Sequence, residues 1–199
     1  MAHYFDATDI KSQERLIEID YENLNLYFWS DNSVFSKNEL DEGSELLIQT
    51  FLKNYNGNYN CLDLGCGLGV VGIICNKANA SLKFEYLDVN ARAVHLTKKN
   101  LTLNKLNGEV YASDCLDAVI ELNKKYDFII ANPPIRAGNK TLFKMFSQSK
   151  EVLNNGGKFI VVLRVKQGAK TYIKHIEELF GNSHILEKKK GFIVCEFTK

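Results

Sequence analysis

Asn60-Cys61-Leu62-Asp63-Leu64-Gly65-Cys66-Gly67-Leu68-Gly69 is the stretch that sets the fold of this chain. Its first five residues predict a short buried strand, its glycines turn the chain sharply, and residues 70–77 continue as a helix. A glycine lacks a Cβ, so it accepts positive φ and lets a ligand come close to the backbone. The helix behind it starts with free N–H groups. The same alternation repeats downstream. Residues 82–87 predict a second strand and 91–104 a helix. Residues 109–112 predict a third strand, followed by an acidic loop and a short helix to Lys124. A fully apolar fourth strand spans 127–131. A helix over 142–153 is expected to end at Asn154-Asn155-Gly156-Gly157, where glycine supplies a left-handed cap. Residues 159–165 form a fifth strand. The next helix, 170–180, has Tyr172, Ile173, Ile176, Leu179 and Phe180 on one face and is closed by Gly181. Residues 183–187 and 192–197 predict an antiparallel hairpin.

Upstream, residues 15–30 alternate in polarity on either side of Glu22-Asn23, which signals another β-hairpin. Leu47, Ile48, Phe51 and Leu52, within 44–54, have helical spacing. The whole pattern predicts an α/β, Rossmann-like fold with a seven-stranded, mostly parallel sheet and helices on both faces. An antiparallel C-terminal hairpin and a short N-terminal β-hairpin complete it. No repeat or linker interrupts the 199 residues. One domain over 1–199 is expected, with 1–43 a hairpin extension and 44–199 the core.

A hydrophobic fraction of 45% and a charged fraction of 25% exclude a disordered or collagen-like chain. No apolar run approaches the ~18 residues of a membrane span. Nor do the first residues show the basic segment and apolar core of a signal peptide. A soluble, cytoplasmic protein is the expectation. Cys61, Cys66, Cys75, Cys115 and Cys195 are odd in number and irregularly spaced, which fits reduced thiols. They and the four scattered histidines show no zinc-like spacing, so no metal is expected. Charge is uneven under a net +1: residues 1–60 carry 4 basic and 11 acidic groups, and residues 158–199 carry 9 and 4. A basic rear of this kind suits a polyanion.

Ligands in doubly wound sheets sit beyond the carboxyl ends of the strands. Four such ends stand out. Gly65, Gly67 and Gly69 follow the first strand, but Gly67-x-Gly69-x-x-Gly72 also spells the dinucleotide fingerprint. Asp88 ends the second strand, 19 residues after Gly69, where a carboxylate receives both hydroxyls of a ribose. Ser113-Asp114 follows the third and can meet an adenine amino group. Asn132-Pro133-Pro134-Ile135 ends the fourth, and the two prolines are the only ones in the chain. Proline fixes φ and pushes the preceding residue into an extended conformation. The result is a stiff cluster of acceptors, the Asn132 side-chain oxygen and the Pro133 carbonyl, suited to a planar –NH₂ group.

On these residues the chain resembles class I S-adenosylmethionine-dependent methyltransferases, and in Asn132-Pro133-Pro134 those that methylate amino nitrogens. Val34-Phe35-Ser36, Leu40-Asp41-x-Gly43-Ser44, Asn132-Pro133-Pro134-Ile135-Arg136-Ala137-Gly138 and Lys188-Lys189-Lys190-Gly191-Phe192 narrow the likeness further. They resemble the small methyltransferase domain of bacterial ribosomal RNA guanine-N2 methyltransferases. The resemblance implies S-adenosyl-L-methionine as cofactor. Gly65, Gly67 and Gly69, with Asp63 nearby, would line its methionine part, Asp88 its ribose and Asp114 its adenine. Asn132, Pro133, Pro134 and Ile135 would form the catalytic group, with Asn132 also beside the cofactor. Where the wider class carries Tyr, Phe or Trp, this chain has Ile135, so base stacking is lost there. The larger ribosomal enzymes also carry a second, degenerate copy of the domain that this chain lacks.

The implied partner is ribosomal RNA or a ribosomal subunit, without a membrane or an obligate protein partner. Arg136, Lys140, Lys144, Lys166, Lys170, Lys174, Lys188, Lys189 and Lys190 flank the expected mouth and can hold phosphates. Methylation of adenine N6 or of a glutamine side chain uses the same Asn-Pro-Pro geometry and stays open. So do a dehydrogenase using the other glycine spelling and a cofactor-binding RNA module that does not turn over.

Overall fold

The computed structural model describes residues 13–32 and 40–199. Val34-Phe35-Ser36 lies outside the described residues. Strands β1 (Arg15–Tyr21) and β2 (Leu24–Ser30) form the N-terminal hairpin, with Glu22 at φ 52° in its turn. Helix α1 (Glu42–Asn54) leads into the main sheet, whose parallel strands alternate with helices: β3 (Asn60–Leu64), α2 (Val70–Ala78), β4 (Lys83–Asp88), α3 (Ala91–Leu103), β5 (Val110–Ala112), α4 (Asp117–Glu121) and β6 (Tyr126–Ala131). Then come α5 (Asn139–Val152), β7 (Leu153–Arg164), α6 (Ala169–Phe180), β8 (His184–Lys189) and β9 (Phe192–Thr198). The seven-stranded sheet has the order β5-β4-β3-β6-β7-β9-β8, with β9 antiparallel to both of its neighbours.

Strand alternation sorts side chains to two faces. Cys61, Phe128, Ile130 and Ile160 pack under α1, α2, α3 and the hairpin. Leu62, Leu64, Ile129, Phe159 and Val161 pack under α4, α5 and α6. The two-layer cover predicted from the pattern is therefore present, with element ends within a few residues of expectation.

One junction differs. No glycine ends α5; its C-cap, Leu153, is already extended at φ −75°, ψ 145° and opens β7 directly. Leu153 is buried and pairs with Tyr126, so continuing into the sheet satisfies both its side chain and its backbone. Gly156 does take positive φ, 76°, but within the strand, where its N–H donates to the Lys199 carbonyl. The helix also begins at Asn139, earlier than its apolar spacing suggested.

Gly72, third in the rival fingerprint, has a packing role here. A Cβ added to it would stand 2.5 Å from Tyr86 Cε1 and 3.0 Å from Phe84 Cδ1. Alanine ordinarily favours a helix over glycine by ~1 kcal/mol. At this site the overlap reverses the sign, and Gly72→Ala is expected to lower stability by about 1–3 kcal/mol, read from urea unfolding.

Candidate active site

Strand order reverses between β3 and β6, which opens a crevice beyond their carboxyl ends. On the β3 side runs the glycine loop. Gly65, Gly67 and Gly69 have φ of 72°, 57° and 78°, the left-handed region that favours glycine. A Cβ at Gly65 or Gly67 would meet nothing within 4 Å, so the loop presents bare backbone to open space. Asp88, at the end of β4, spans this loop: one carboxylate oxygen accepts from Gly67 N–H and the other from Asn90 N–H, both at 2.8 Å. Asn90, not Asp88, caps α3 by accepting from Arg92 N–H. Asp88 thus stands at the mouth, where burial raises its pKa against the backbone N–H groups of Asn90, Gly67 and Val89, which lower it.

Asp63 sits behind the loop. It is buried and accepts from Gly72 N–H at 2.9 Å, anchoring the start of α2 to β3. Burial pushes its carboxyl up to about 7, the Gly72 bond opposing and the Asp88 charge adding to the rise. Asp114 follows β5 and is exposed, held by Lys144 at 2.8 Å. Lys144 also binds Asp117 at 2.7 Å, so this lysine is committed to the acidic loop.

On the β6 side the orientation of Asn132 is fixed chemically. Its Nδ2 donates to Asp41 Oδ1 at 3.2 Å and to Ser44 Oγ at 3.0 Å. An ionised carboxylate only accepts, so the amide nitrogen must face Asp41 and the amide oxygen must face away. The same Asp41 oxygen caps α1 by accepting from Gly43 and Ser44 N–H, each at 3.1 Å. Pro133 is buried; Pro134 is extended at φ −74°, ψ 91°; Ile135 begins a one-turn 3-10 segment and packs on the α5 side of the sheet.

Phe192 places an aromatic ring near Asn132. The point where a Gly43 Cβ would stand is 3.1 Å from Phe192 Cε1 and 3.4 Å from Asn132 Nδ2, so ring and amide flank one narrow gap. Arg164 lies over that ring at 5.5 Å. Arg136, Lys140, Lys166, Lys170, Lys188, Lys189 and Lys190 are exposed and lie at or just beyond the carboxyl ends of β6, β7 and β8. Lys190 also pairs with Glu42 at 3.4 Å, while Lys174 lies farther along α6 beside Glu178. Among the described residues no group of three or more His, Cys, Asp or Glu could hold a metal ion.

The methyltransferase small domain family matches residues 25–196. The chain belongs to this family. Bacillus subtilis YbxB is 35% identical over 198 residues, covering 99% of this chain and 98% of that protein. Ribosomal RNA small subunit methyltransferase C of Haemophilus influenzae is 35% identical over 173 residues, covering 85% of this chain and 50% of the relative. The chain thus spans about half the length of the methyltransferase C relatives it matches. Among solved structures, the T. thermophilus 16S rRNA N2 G1207 methyltransferase, in complex with AdoMet and guanosine, superposes with a TM-score of 0.84 at 22% identity. That match covers 94% of this chain and 50% of the other. A ribosomal protein L11 methylase from Lactobacillus delbrueckii superposes at 0.66 with 19% identity, covering 92% and 94%. The fold is therefore common to a solved RNA methyltransferase and a solved ribosomal protein methylase.

The glycine loop, Asp88 and Asn132, each legible in the sequence, end or follow strands on one side of the sheet. The task of Asp41 and Ser44 is not legible there. A cap residue just ahead of a helix is the available signal, yet nothing local says that its carboxylate also grips a strand end far along the chain.

Two outcomes test the geometry. Asp41→Ser keeps a good helix cap but removes the acceptor-only oxygen, and methyl transfer is expected to fall about 100-fold, since misplacing a reacting group by ~1 Å costs that much. Asp63 has its folded pKa above its unfolded value, so the native state binds the extra proton between about 4 and 7. Its contribution to stability is therefore lost as pH rises through that window. Urea unfolding of Asp63→Asn at pH 5 and pH 7 is expected to show a smaller loss than the wild type.

Proposed function

We propose that this chain transfers a methyl group from S-adenosyl-L-methionine to an exocyclic amino nitrogen, N2 of a guanine in small-subunit ribosomal RNA. One observation carries the reading: Asp41 and Ser44 occupy the Asn132 NH₂, which leaves the Asn132 carbonyl oxygen to receive an incoming amino group. The methyltransferase C relatives support small-subunit ribosomal RNA as the substrate, and the T. thermophilus enzyme supports guanine N2 as that group.

The cofactor fits the residues present. Open space above Gly65 and Gly67 suits a ligand laid against backbone, and each Asp88 oxygen has lone-pair capacity beyond its one N–H partner. Gly65, Gly67 and Gly69 would hold the methionine part, Asp88 the ribose and Asp114 the adenine edge, while Asp63 acts through α2. When bound, S-adenosylmethionine supplies an electrophilic methyl carbon on a sulfonium. The protein's own task is to prepare the nucleophile. A guanine N2 lone pair is delocalised into the ring. Hydrogen bonds from N2 to Asn132 Oδ1 and the Pro133 carbonyl favour a more pyramidal nitrogen and offset positive charge as it develops. Alignment contributes several kcal/mol more. No strong base is needed before attack, because the surplus proton leaves to solvent afterwards.

A paired guanine must first leave its stack or be unpaired already. Phe192 and Ile135 give it apolar walls, and Arg164 backs the Phe192 ring. Arg136, Lys140, Lys166, Lys170, Lys188, Lys189 and Lys190 hold phosphates around the mouth without reading sequence.

Labelled cofactor offered to naked ribosomal RNA, small subunits and large subunits, followed by digestion to nucleosides, tests the reading. N2-methylguanosine in small-subunit RNA is expected. N6-methyladenosine, a methylated protein, or binding without turnover would overturn it. Asn132→Ala should abolish transfer, by at least ~10³-fold, while cofactor affinity stays within about threefold.

A further inference from the structure

The inner face of α3 carries a polar row where a sheet-facing helix is ordinarily apolar. Thr97, Asn100 and the cap residue Asn104 are all buried, and none has a part in the chemistry above. Buried amides and hydroxyls are unfavourable unless hydrogen-bonded. All three are bonded, and two of them bond to the glycine loop. Thr97 Oγ1 donates to the Gly67 carbonyl at 2.9 Å. Asn100 Nδ2 donates to the Leu68 carbonyl at 2.9 Å and to the Trp29 carbonyl at 3.1 Å, while its Oδ1 accepts from Trp29 N–H at 2.6 Å. Asn104 Nδ2 reaches the Tyr27 and Asn100 carbonyls and makes no bond to the loop.

Two successive carbonyls of a glycine-rich loop are therefore drawn back onto α3. A loop this poor in side chains has little else to choose its conformation, and carbonyls turned to the rear keep acceptors off the open face. The methyl Cγ2 of Thr97 also lies 2.9 Å from where a Gly69 Cβ would stand, so the loop and α3 are in close contact.

We propose that Thr97 and Asn100 are positioning residues for the methyl donor. They fix the Gly67 and Leu68 carbonyls, and Asn100 makes the N-terminal hairpin part of the donor site by bonding Trp29 and Leu68 with one amide. This rests on the assignment of the glycine loop to S-adenosylmethionine.

The test is calorimetric binding of S-adenosylmethionine and S-adenosylhomocysteine to the full chain, with thermal midpoints measured alongside. Thr97→Val keeps the shape and removes the donor; it is expected to weaken binding about tenfold, and Thr97→Ser to restore it to within about threefold. Asn100→Ala is expected to weaken binding at least as much as Thr97→Val. Asn104→Ala loosens the hairpin without touching the loop, so it should lower the thermal midpoint and leave affinity within about threefold. Asp88→Ala separates the two readings. If it weakens binding while Thr97→Val and Asn100→Ala bind as wild type, the inference is overturned alone. Wild-type affinity in Asp88→Ala as well overturns the loop assignment and the inference with it. Equal losses in Asn104→Ala and Asn100→Ala would also overturn it, as a general stability effect. Should Asn100→Ala fail to fold, the Thr97 pair decides.

Discussion

Strand β3 is hydrogen-bonded to β4 on one side and β6 on the other, so the chain leaves it towards one edge of the sheet and later returns on the opposite side. No crossover covers the gap between the two departures. Everything chemical in this molecule is arranged around that gap. The first departure is built of glycines and shows backbone; the second is built of Asn132 and two prolines and shows a side-chain amide. Each needs support from outside the sheet, because a loop without side chains and a lone amide have little to hold them in one pose.

The two supports come from opposite flanks. Helix α3 holds the glycine loop from behind, and the N-terminus of α1 holds Asn132 through Asp41 and Ser44. The Asp41 bond is economical, since the oxygen that ends the helix is also the one that orients the amide. A helix cap and the amide at the end of β6 are thereby joined, and α1 cannot start elsewhere without releasing Asn132. Gly43 is small for the same reason: Phe192, Asp41 and Asn132 converge on the place its side chain would take.

What the sequence made legible follows from the range of each constraint. Positive φ at Gly65, Gly67 and Gly69 is a property of single residues, and the apolar alternation of 127–131 is a property of one strand; both can be read locally. The place of Asp88 at the end of β4 is legible because strand ends in this topology share a rim. The end of α5 is not, because Gly156 has the signature of a helix cap, whereas burial of Leu153 against Tyr126 decides where the helix stops. Thr97, Asn100 and Asn104 carry no local mark of their bonds. Their partners, Trp29, Tyr27 and the loop carbonyls, come from other segments, and no window on α3 contains them. Asp63 shows the same limit from another side: its acidic character was visible, its burial under α2 was not.

The polar row has one more consequence, which concerns the hairpin and not the crevice. A two-stranded ribbon has unpaired backbone along its outer edges, and such edges recruit strands from other chains. Here Asn100 takes both the N–H and the carbonyl of Trp29, and Asn104 takes the carbonyl of Tyr27, much as a neighbouring strand would. Two carboxamides thus occupy outer backbone groups of β2 at Tyr27 and Trp29, a blunting that charged or proline residues do on other edges.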